Sequence, residues 1–380
     1  MTRAVFLAHT AAPSGAELAT SRLLSALHHR RFAVTMIYTE PGPMVESMRD
    51  RGIDTRVVEG PFRARSLTIG TATVRGLLAA SVHLVRTGWK VGAAVRDSGA
   101  TVLVAQSTKA MAIGAVAARR AHVPLVWQVH DRVSAEYFGR PLASAVRCFG
   151  WLVSSAYLAN SRSTRATLIR WRRPAAVAYP GLDIDCAPCT DRPAQRPPAD
   201  TVVVVVGRLA AWKGQHVFLR ALAEARIRPR EVLLVGGTFF GEEQYRAELE
   251  RMACELDLTV TFTGHVDDPG EYLCRADILV HCSVLAEPFG QVVVEGMRAG
   301  CAVIATRPGG PEEIIEPDVS GLLVDAGDQA ALTRALDRLI ADPALRERLS
   351  VAGRRRARRF DIAETATVVA DLLDRIGAST

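Results

Sequence analysis

Two carboxylates eight positions apart, in Glu287-Pro-Phe-Gly-Gln-Val-Val-Val-Glu295, are the residues of this chain best placed to do chemistry. Ahead of them Ile278-Leu-Val280 reads as a strand closing into Ser283. Behind them Val292 to Met297 reads as a helix that stops before Gly300. Gly290 then opens that helix, and the leading amides of a helix present donors and positive partial charge suited to an anion. Glu287 falls on the loop and Glu295 more than a turn into the helix. Each carboxylate can therefore meet one end of an elongated ligand whose phosphates rest on the helix tip.

A second group has the complementary charge. Gly207-Arg-Leu and then Trp212-Lys-Gly214 follow the apolar run Val202–Val206. Arg208 can offer a planar fork to phosphate oxygens, and Lys213 a compact point charge five residues later. Each charge-assisted bond of this kind contributes about 1.5–3 kcal/mol. Of 47 Lys plus Arg only three are lysine, so a lysine in this turn stands out.

These two segments resemble the signatures of the retaining glycosyltransferases of family four (glycosyl transferases group one). The resemblance implies a GT-B fold, two doubly wound Rossmann-like parallel-sheet domains facing a central cleft, and a nucleotide-sugar donor. It implies that Arg208 and Lys213 bind the diphosphate, helped by the amides of Gln291, Val292 and Val293. Glu287 would then accept hydroxyls of the transferred sugar, with amides around Phe289 and Gly290 beside it, and Glu295 would accept the ribose hydroxyls.

Weaker motifs join them. Phe262-Thr-Gly-His-Val266 is similar to the loop that contacts the nucleobase, placing Gly264 and His265 there; read without the resemblance it is a plain turn. Pro13-Ser-Gly-Ala-Glu17 resembles the family's Gly-Gly-Ala-Glu loop with Ser14 in place of the first Gly, so that Gly15 lets backbone approach the diphosphate or acceptor. In Trp127-Gln-Val-His130-Asp131 the resemblance makes His130 the group that orients a hydroxyl of the donor sugar. Tyr179-Pro-Gly-Leu-Asp183 resembles the family's hinge, with Pro180 where Asn is usual. No metal ligand set and no cofactor are expected, since the family works without metal and the nucleotide sugar is a substrate. Asp267-Asp268 reads as a helix cap, and so does Asn160-Ser161 ahead of a helix over 161–171. No carboxylate stands at the position of His130 to act as a nucleophile, which favours a front-face path in which the leaving phosphate takes the acceptor proton.

The elements that must position these groups alternate along both halves. Strands are expected near Val5–Ala8, Val34–Tyr38, Arg56–Val58, Val102–Ala105, Leu125–Val129, Ala156–Ala159 and Val177–Tyr179, with helices near 15–29, 43–51, 70–97, 108–121, 135–150 and 161–171 between them. The pattern restarts at Val202, with strands near 232–235, 259–263, 277–281, 302–305 and 322–324 and helices near 213–226, 242–256, 290–299 and 328–341. Apolar strands joined by helices indicate parallel βα units. A chain of 380 residues exceeds one ordinary core. The expected division is a first domain over 1–180, a Pro-rich linker over 181–200 and a donor domain over 201–359. A helix in 360–380 follows, and the resemblance implies that it packs back on the first domain.

Charge is divided as sharply as the fold. Residues 1–180 carry 24 Lys or Arg against 9 Asp or Glu, while 181–380 carry 23 against 31. The basic half, including Arg63, Arg65, Arg75, Arg86, Lys90 and Arg96, points to a hydroxyl acceptor that is anionic or lipid-linked, and to an anionic membrane surface as partner. A saccharide or small metabolite stays open as acceptor. The run Arg354–Arg359 reads as a solvated helix end, and no base-reading motif suggests nucleic acid. Seven scattered cysteines favour free thiols; Cys186-Ala-Pro-Cys189 is the only close pair, and no second pair or His cluster lies near it to complete a zinc site. No apolar run reaches the length of a membrane span and no secretory signal is legible, so a cytoplasmic protein is expected, peripheral on the inner face of the membrane if that surface binds. Two other readings remain open. One is a nucleotide-sugar epimerase of GT-B fold, which would turn over donor without acceptor. The other is a non-catalytic protein that binds a sugar nucleotide or an anionic surface.

Overall fold

A computed structural model describes residues 2–30, 32–60, 74–184, 196–238 and 241–378, with backbone alone at 74–80. Arg63, Arg65, the side chain of Arg75, and Cys186 and Cys189 lie outside the described residues. The chain divides into two compact units, one of Met1–Gly181 with Ile362–Thr380 and one of Leu182–Asp361.

Unit 1 is built on seven strands: β1 (Arg3–Ala8), β2 (Ala33–Tyr38), β3 (Asp54–Val57), β4 (Val102–Ala105), β5 (Leu125–Val129), β6 (Ala156–Ala159) and β7 (Ala175–Val177). Their order is β3-β2-β1-β4-β5-β6-β7, every pairing parallel. The crossover helices are α1 (Gly15–His29), α2 (Pro43–Asp50), α3 (Val74–Asp97), α4 (Thr108–Ala121), α5 (Ala135–Phe138), α6 (Arg140–Val153) and α7 (Arg162–Ala166). The central strands β4, β5 and β6, and β1 after Arg3, are buried throughout because helices cover both faces.

Unit 2 repeats the plan with β8 (Val202–Val206), β9 (Glu231–Val235), β10 (Thr261–Gly264), β11 (Ile278–Val280), β12 (Ala302–Arg307) and β13 (Leu322–Asp325). The order is β10-β9-β8-β11-β12-β13, again parallel. Its helices are α8 (Gln215–Ala223), α9 (Glu243–Glu255), α10 (Gly270–Arg275), α11 (Gln291–Ala299), α12 (Pro311–Ile314), α13 (Gln329–Ala341) and α14 (Pro343–Ala357).

The last helix, α15 (Ile362–Gly377), belongs to unit 1. Its Ala366, Val369, Leu372 and Leu373 recur at helical spacing, and that stripe is buried with Phe6, Leu24 and Leu27 in one core. One face of the first sheet is thus closed by the chain's last segment.

Several elements differ from the sequence reading. The helix expected over 135–150 is two helices, because Gly139 takes a left-handed φ of 74° and Pro141 restarts the helix in the next turn. The helix expected over 161–171 ends at Ala166, and the strand expected at 177–179 lies at 175–177. The short helix α12 was not anticipated, α10 was anticipated only through the cap read at Asp267-Asp268, and α14 only through the helix end read at Arg354–Arg359; α14 is largely polar, so its sequence shows little apolar period. Cys148, Cys254, Cys282 and Cys301 are free thiols, whereas Cys274 is disulfide-bonded, a departure from the expectation of free cysteines throughout.

The tightest packing in unit 1 lies where α6 meets the sheet. A Cβ placed on Gly150 would sit 2.5 Å from the ring of Trp127, which is fully buried and cannot yield. Gly150→Ala is expected to destabilise unit 1 by about 1–3 kcal/mol. Calorimetry checks this: the transition of unit 1 falls while that of unit 2 stays in place.

Candidate active site

In a doubly wound sheet, ligands bind beyond the carboxyl ends of the strands, where the order reverses. In unit 2 that point lies between β8 and β11, and the two predicted charged segments are the loops that leave those strands. The β8 loop is drawn over the β11 loop by backbone bonds. The amide of Val284 donates to the Trp212 carbonyl at 2.8 Å, and the Cys282 thiol donates to the Lys213 carbonyl at 3.3 Å. Gly214 makes this approach feasible, since a Cβ there would lie 2.0 Å from the Cys282 carbonyl oxygen.

Lys213 and Glu287 meet across this switch point. The ammonium donates to both carboxylate oxygens, at 3.1 Å to Oε1 and 2.9 Å to Oε2. Oε2 also accepts from the Ser283 hydroxyl at 2.8 Å and lies 3.3 Å from His281 Nε2. Burial alone would push the Glu287 carboxyl up, but the Lys213 charge, with His281, more than offsets it and holds the acid well below the usual carboxylate range. The other face of His281 is fixed by Thr306, whose hydroxyl lies 3.3 Å from Nδ1. The Glu287 backbone is pinned too: its carbonyl accepts from the Gly310 amide at 2.8 Å, and a Cβ on Gly309 would strike it at 2.5 Å. Lys213 itself lies in a short 3-10 turn, Ala211–Lys213, ahead of α8 rather than in the helix expected from 213, and its ammonium packs 4.2 Å from the Trp212 ring centroid.

Arg208 leaves β8 with its guanidinium 3.3 Å from the Glu242 carboxylate, and buried Gln215 holds its carbonyl at 2.9 Å. Gly290 is the N-cap of α11 at a φ of 92°. The Val293 amide bonds back to the Gly290 carbonyl at 2.9 Å, so the helix tip's leading donors are Gln291 and Val292 and not the three expected. Glu295 accepts from the Gln291 side chain at 2.7 Å. Phe289 is buried edge-on against Phe360, with ring centroids 5.7 Å apart, so its side chain anchors the loop. Gly264 ends β10 at φ 74°, its carbonyl accepting from the Gly236 amide at 3.1 Å. His265 is exposed beside Asp267. Asp268 accepts from the Gly270 amide at 2.8 Å, but it stands one residue ahead of the N-cap of α10, which is Pro269 and not either aspartate.

Unit 1 carries a second polar cluster at its own switch point, between β1 and β4. His9 closes β1 and its Nδ1 lies 2.9 Å from the Ser107 hydroxyl after β4. Burial, then the Lys109 charge, lowers the His9 pKa to about 4. His130 follows β5; burial lowers it likewise to about 4, and its Nε2 is enclosed without a hydrogen-bond partner. A neutral imidazole with an unspent ring nitrogen is suited to a ligand hydroxyl. Asn160 donates to the His130 carbonyl at 2.6 Å, while the cap of α7 is Ser161. Gly15 opens α1 with nothing within 4 Å of where a Cβ would stand, so only backbone approach asks for glycine there. Ser14 is extended, at φ −132°, which needs no glycine, and its hydroxyl bonds the Glu17 carboxylate.

Sequence reasoning missed His281, Thr306, Glu242 and His9. His281 carried a signal, a polar residue closing a strand that is otherwise wholly apolar; the others carried none.

The two sequence halves match known families. Residues 13–185 match the model for glycosyltransferase family 4 and residues 190–356 that for glycosyl transferases group 1. The chain belongs to glycosyltransferase family 4. It is a glycosyltransferase of GT-B fold. It is 30% identical over 350 residues to the lipopolysaccharide core biosynthesis glycosyltransferase LpsD of Rhizobium meliloti, a match covering 87% of this chain and 93% of that protein. It is 31% identical over 220 residues to a phosphatidyl-myo-inositol mannosyltransferase of Mycobacterium leprae, covering 55% of this chain and 57% of that one. Among solved structures, Anabaena HepE in complex with UDP and glucose is 26% identical, with a TM-score of 0.82 over 99% of this chain and all of that one.

The pair at the centre of this site gives a prediction. Lys213→Met strands a buried carboxylate and should cost unit 2 about 3 kcal/mol, whereas adding Glu287→Gln should restore most of it. A double-mutant cycle by urea unfolding checks this; additive losses would contradict the coupling.

Proposed function

We propose that this glycosyltransferase takes a nucleoside-diphosphate sugar, a UDP-sugar in the first place, and transfers the sugar with retention to a hydroxyl acceptor. The observation that carries the reading is the Lys213–Glu287 pair at the unit 2 switch point, with Arg208 and the α11 amides on the same pair of loops. The complexes of Anabaena HepE with UDP, with UDP and glucose, and with UDP-glucose support the donor class.

In this reading the diphosphate displaces Glu242 from Arg208 and draws on Lys213 and the Gln291 and Val292 amides. Fixed donors of this kind stabilise the charge that grows on the leaving group, so no divalent metal is called on. Glu295 takes the ribose hydroxyls and the loop at Gly264 and His265 the base. Glu287 accepts a hydroxyl of the transferred sugar through Oε1, the oxygen bonded to Lys213 alone. With Oε2 sharing Lys213, Ser283 and His281, the carboxylate is a weak nucleophile and better suited to favouring positive charge at the anomeric carbon. The sugar–phosphate bond then breaks as the acceptor oxygen bonds the same carbon, and a phosphate oxygen takes the acceptor proton. In unit 1 His130, neutral at pH 7, orients a hydroxyl, and Gly15 admits a ligand close to the backbone. The excess of Lys and Arg in the first half favours an anionic or lipid-linked acceptor.

The test is ligand-dependent melting followed by product analysis. UDP at a hundred times its dissociation constant should stabilise unit 2 by about 2.7 kcal/mol, and Arg208→Ala should abolish the shift. UDP-sugar turnover should require an acceptor and survive chelation. No shift with any nucleoside diphosphate would sink the reading, and donor conversion without acceptor would turn it toward an epimerase.

A further inference from the structure

We infer that unit 1 docks on an anionic membrane through one face made by α3, α4, α6 and the segment 167–173. From 81 to 173 the chain carries 14 Lys or Arg and only Asp97, Asp131 and Glu136 as acids. The same stretch holds seven of the eleven exposed large apolar side chains found among the described residues, Val82, Val85, Trp89, Phe149, Leu152, Ile169 and Trp171. Basic charge and exposed apolar area thus coincide. Solvent-exposed helices ordinarily separate the two, and a contiguous apolar patch marks an interaction surface.

The arrangement is built and not incidental. On α3 the buried side is Thr87, Gly88, Val91, Gly92 and Val95, while Val82, Val85 and Trp89 form a stripe on the opposite, exposed side with Arg86 and Lys90 beside it. Gly88 and Gly92 let α3 close on α4, since a Cβ at either would come within 3 Å of that helix. Trp89 is held outward, 56% exposed, by Arg120, which stacks 4.3 Å from its ring and donates to its carbonyl. A groove of about 760 Å³ opens between the three helices, its lining including Trp89, Val116, Phe149 and Leu152 together with Arg119 and Arg120. Beyond α6, Trp171 is 64% exposed, its ring against Trp151 and under the Arg172 guanidinium.

This chemistry fits a lipid surface: indole rings for the interface, an apolar groove for chain carbons and guanidinium groups for headgroup phosphates. Each basic residue at an anionic leaflet raises binding about five-fold. A symmetric pairing of two copies through this face fits poorly, because it would bring one acid-poor, basic face against another. Among the described residues no helix is long and apolar enough to cross a membrane, so the mode is docking on the surface. The inference is independent of the donor reading. A chain that binds vesicles but no nucleotide keeps this surface, and one that binds nucleotide but no vesicles loses it.

The full chain is tested by co-sedimentation with phosphatidylcholine vesicles, with and without phosphatidylglycerol, and by tryptophan quenching from brominated acyl chains. Binding should need the anionic lipid and weaken with salt. Trp89→Ser with Leu152→Ser should weaken it about ten-fold or more, and Trp89→Phe with Trp171→Phe should remove most of the quenching. Arg119→Gln with Arg172→Gln should weaken binding and flatten the salt dependence. Circular dichroism confirms that these exposed changes leave the fold intact. The inference is overturned by absent binding to anionic vesicles or by affinity indifferent to the apolar changes. Binding without quenching, or a dimer in solution that Leu152→Ser dissociates, would also overturn it.

Discussion

The constraint on which unit 2 rests is that a carboxylate, once buried, must be paired. Glu287 lies under the β12 loop with its backbone fixed, and its charge survives because Lys213 reaches it from the neighbouring strand's loop. Breaking such a pair leaves an uncompensated ion, so the geometry of each loop is bound to that of the other. The glycines at 214, 290 and 309 follow from this, since each sits where a side chain would hold the loops apart or where the backbone turns left-handed. His281, Ser283 and Thr306 complete the network and leave the carboxylate one lightly used oxygen.

The same topology places polar groups at the switch point of both sheets, but with different electrostatics. In unit 2 the groups are fully charged and neutralise one another. In unit 1 they are imidazoles kept neutral by burial, His9 and His130, with a half-buried Glu17 whose pKa is raised by the same burial. The first cluster is thus one of paired formal charges, while in the second the Lys109 charge stands beside neutral imidazoles.

Much of this was legible in the sequence, for physical reasons. Buried parallel strands such as Val202–Val206 are uninterrupted apolar runs, and Gly290 and Gly207 mark where strands turn into loops, so the sheets and the two charged segments could be placed. What escaped was set by tertiary contact. Nothing local tells that Lys213 bonds Glu287, 74 residues away, or that Glu242 holds Arg208. The break at Gly139 was missed because helix propensity on both sides is good, and the start of α14 because its buried side includes Arg346, whose guanidinium is spent on the carbonyls of Leu339 and Ile340. The exposed stripe on α3 reads in sequence as ordinary amphipathicity; only burial shows that Trp89 lies on its outer side.

The most direct test of the central claim is the titration of the Glu287 carboxyl, followed by carbon-13 NMR in the intact protein. A folded pKa below the unfolded value means that the pair stabilises unit 2 fully above the ordinary carboxyl value of 4.5 and loses that contribution as pH falls toward the folded pKa. The account predicts a carboxyl still ionised well under that value, with its signal displaced when UDP binds. A carboxyl that titrates near 4.5, or that ignores the nucleotide, would contradict it.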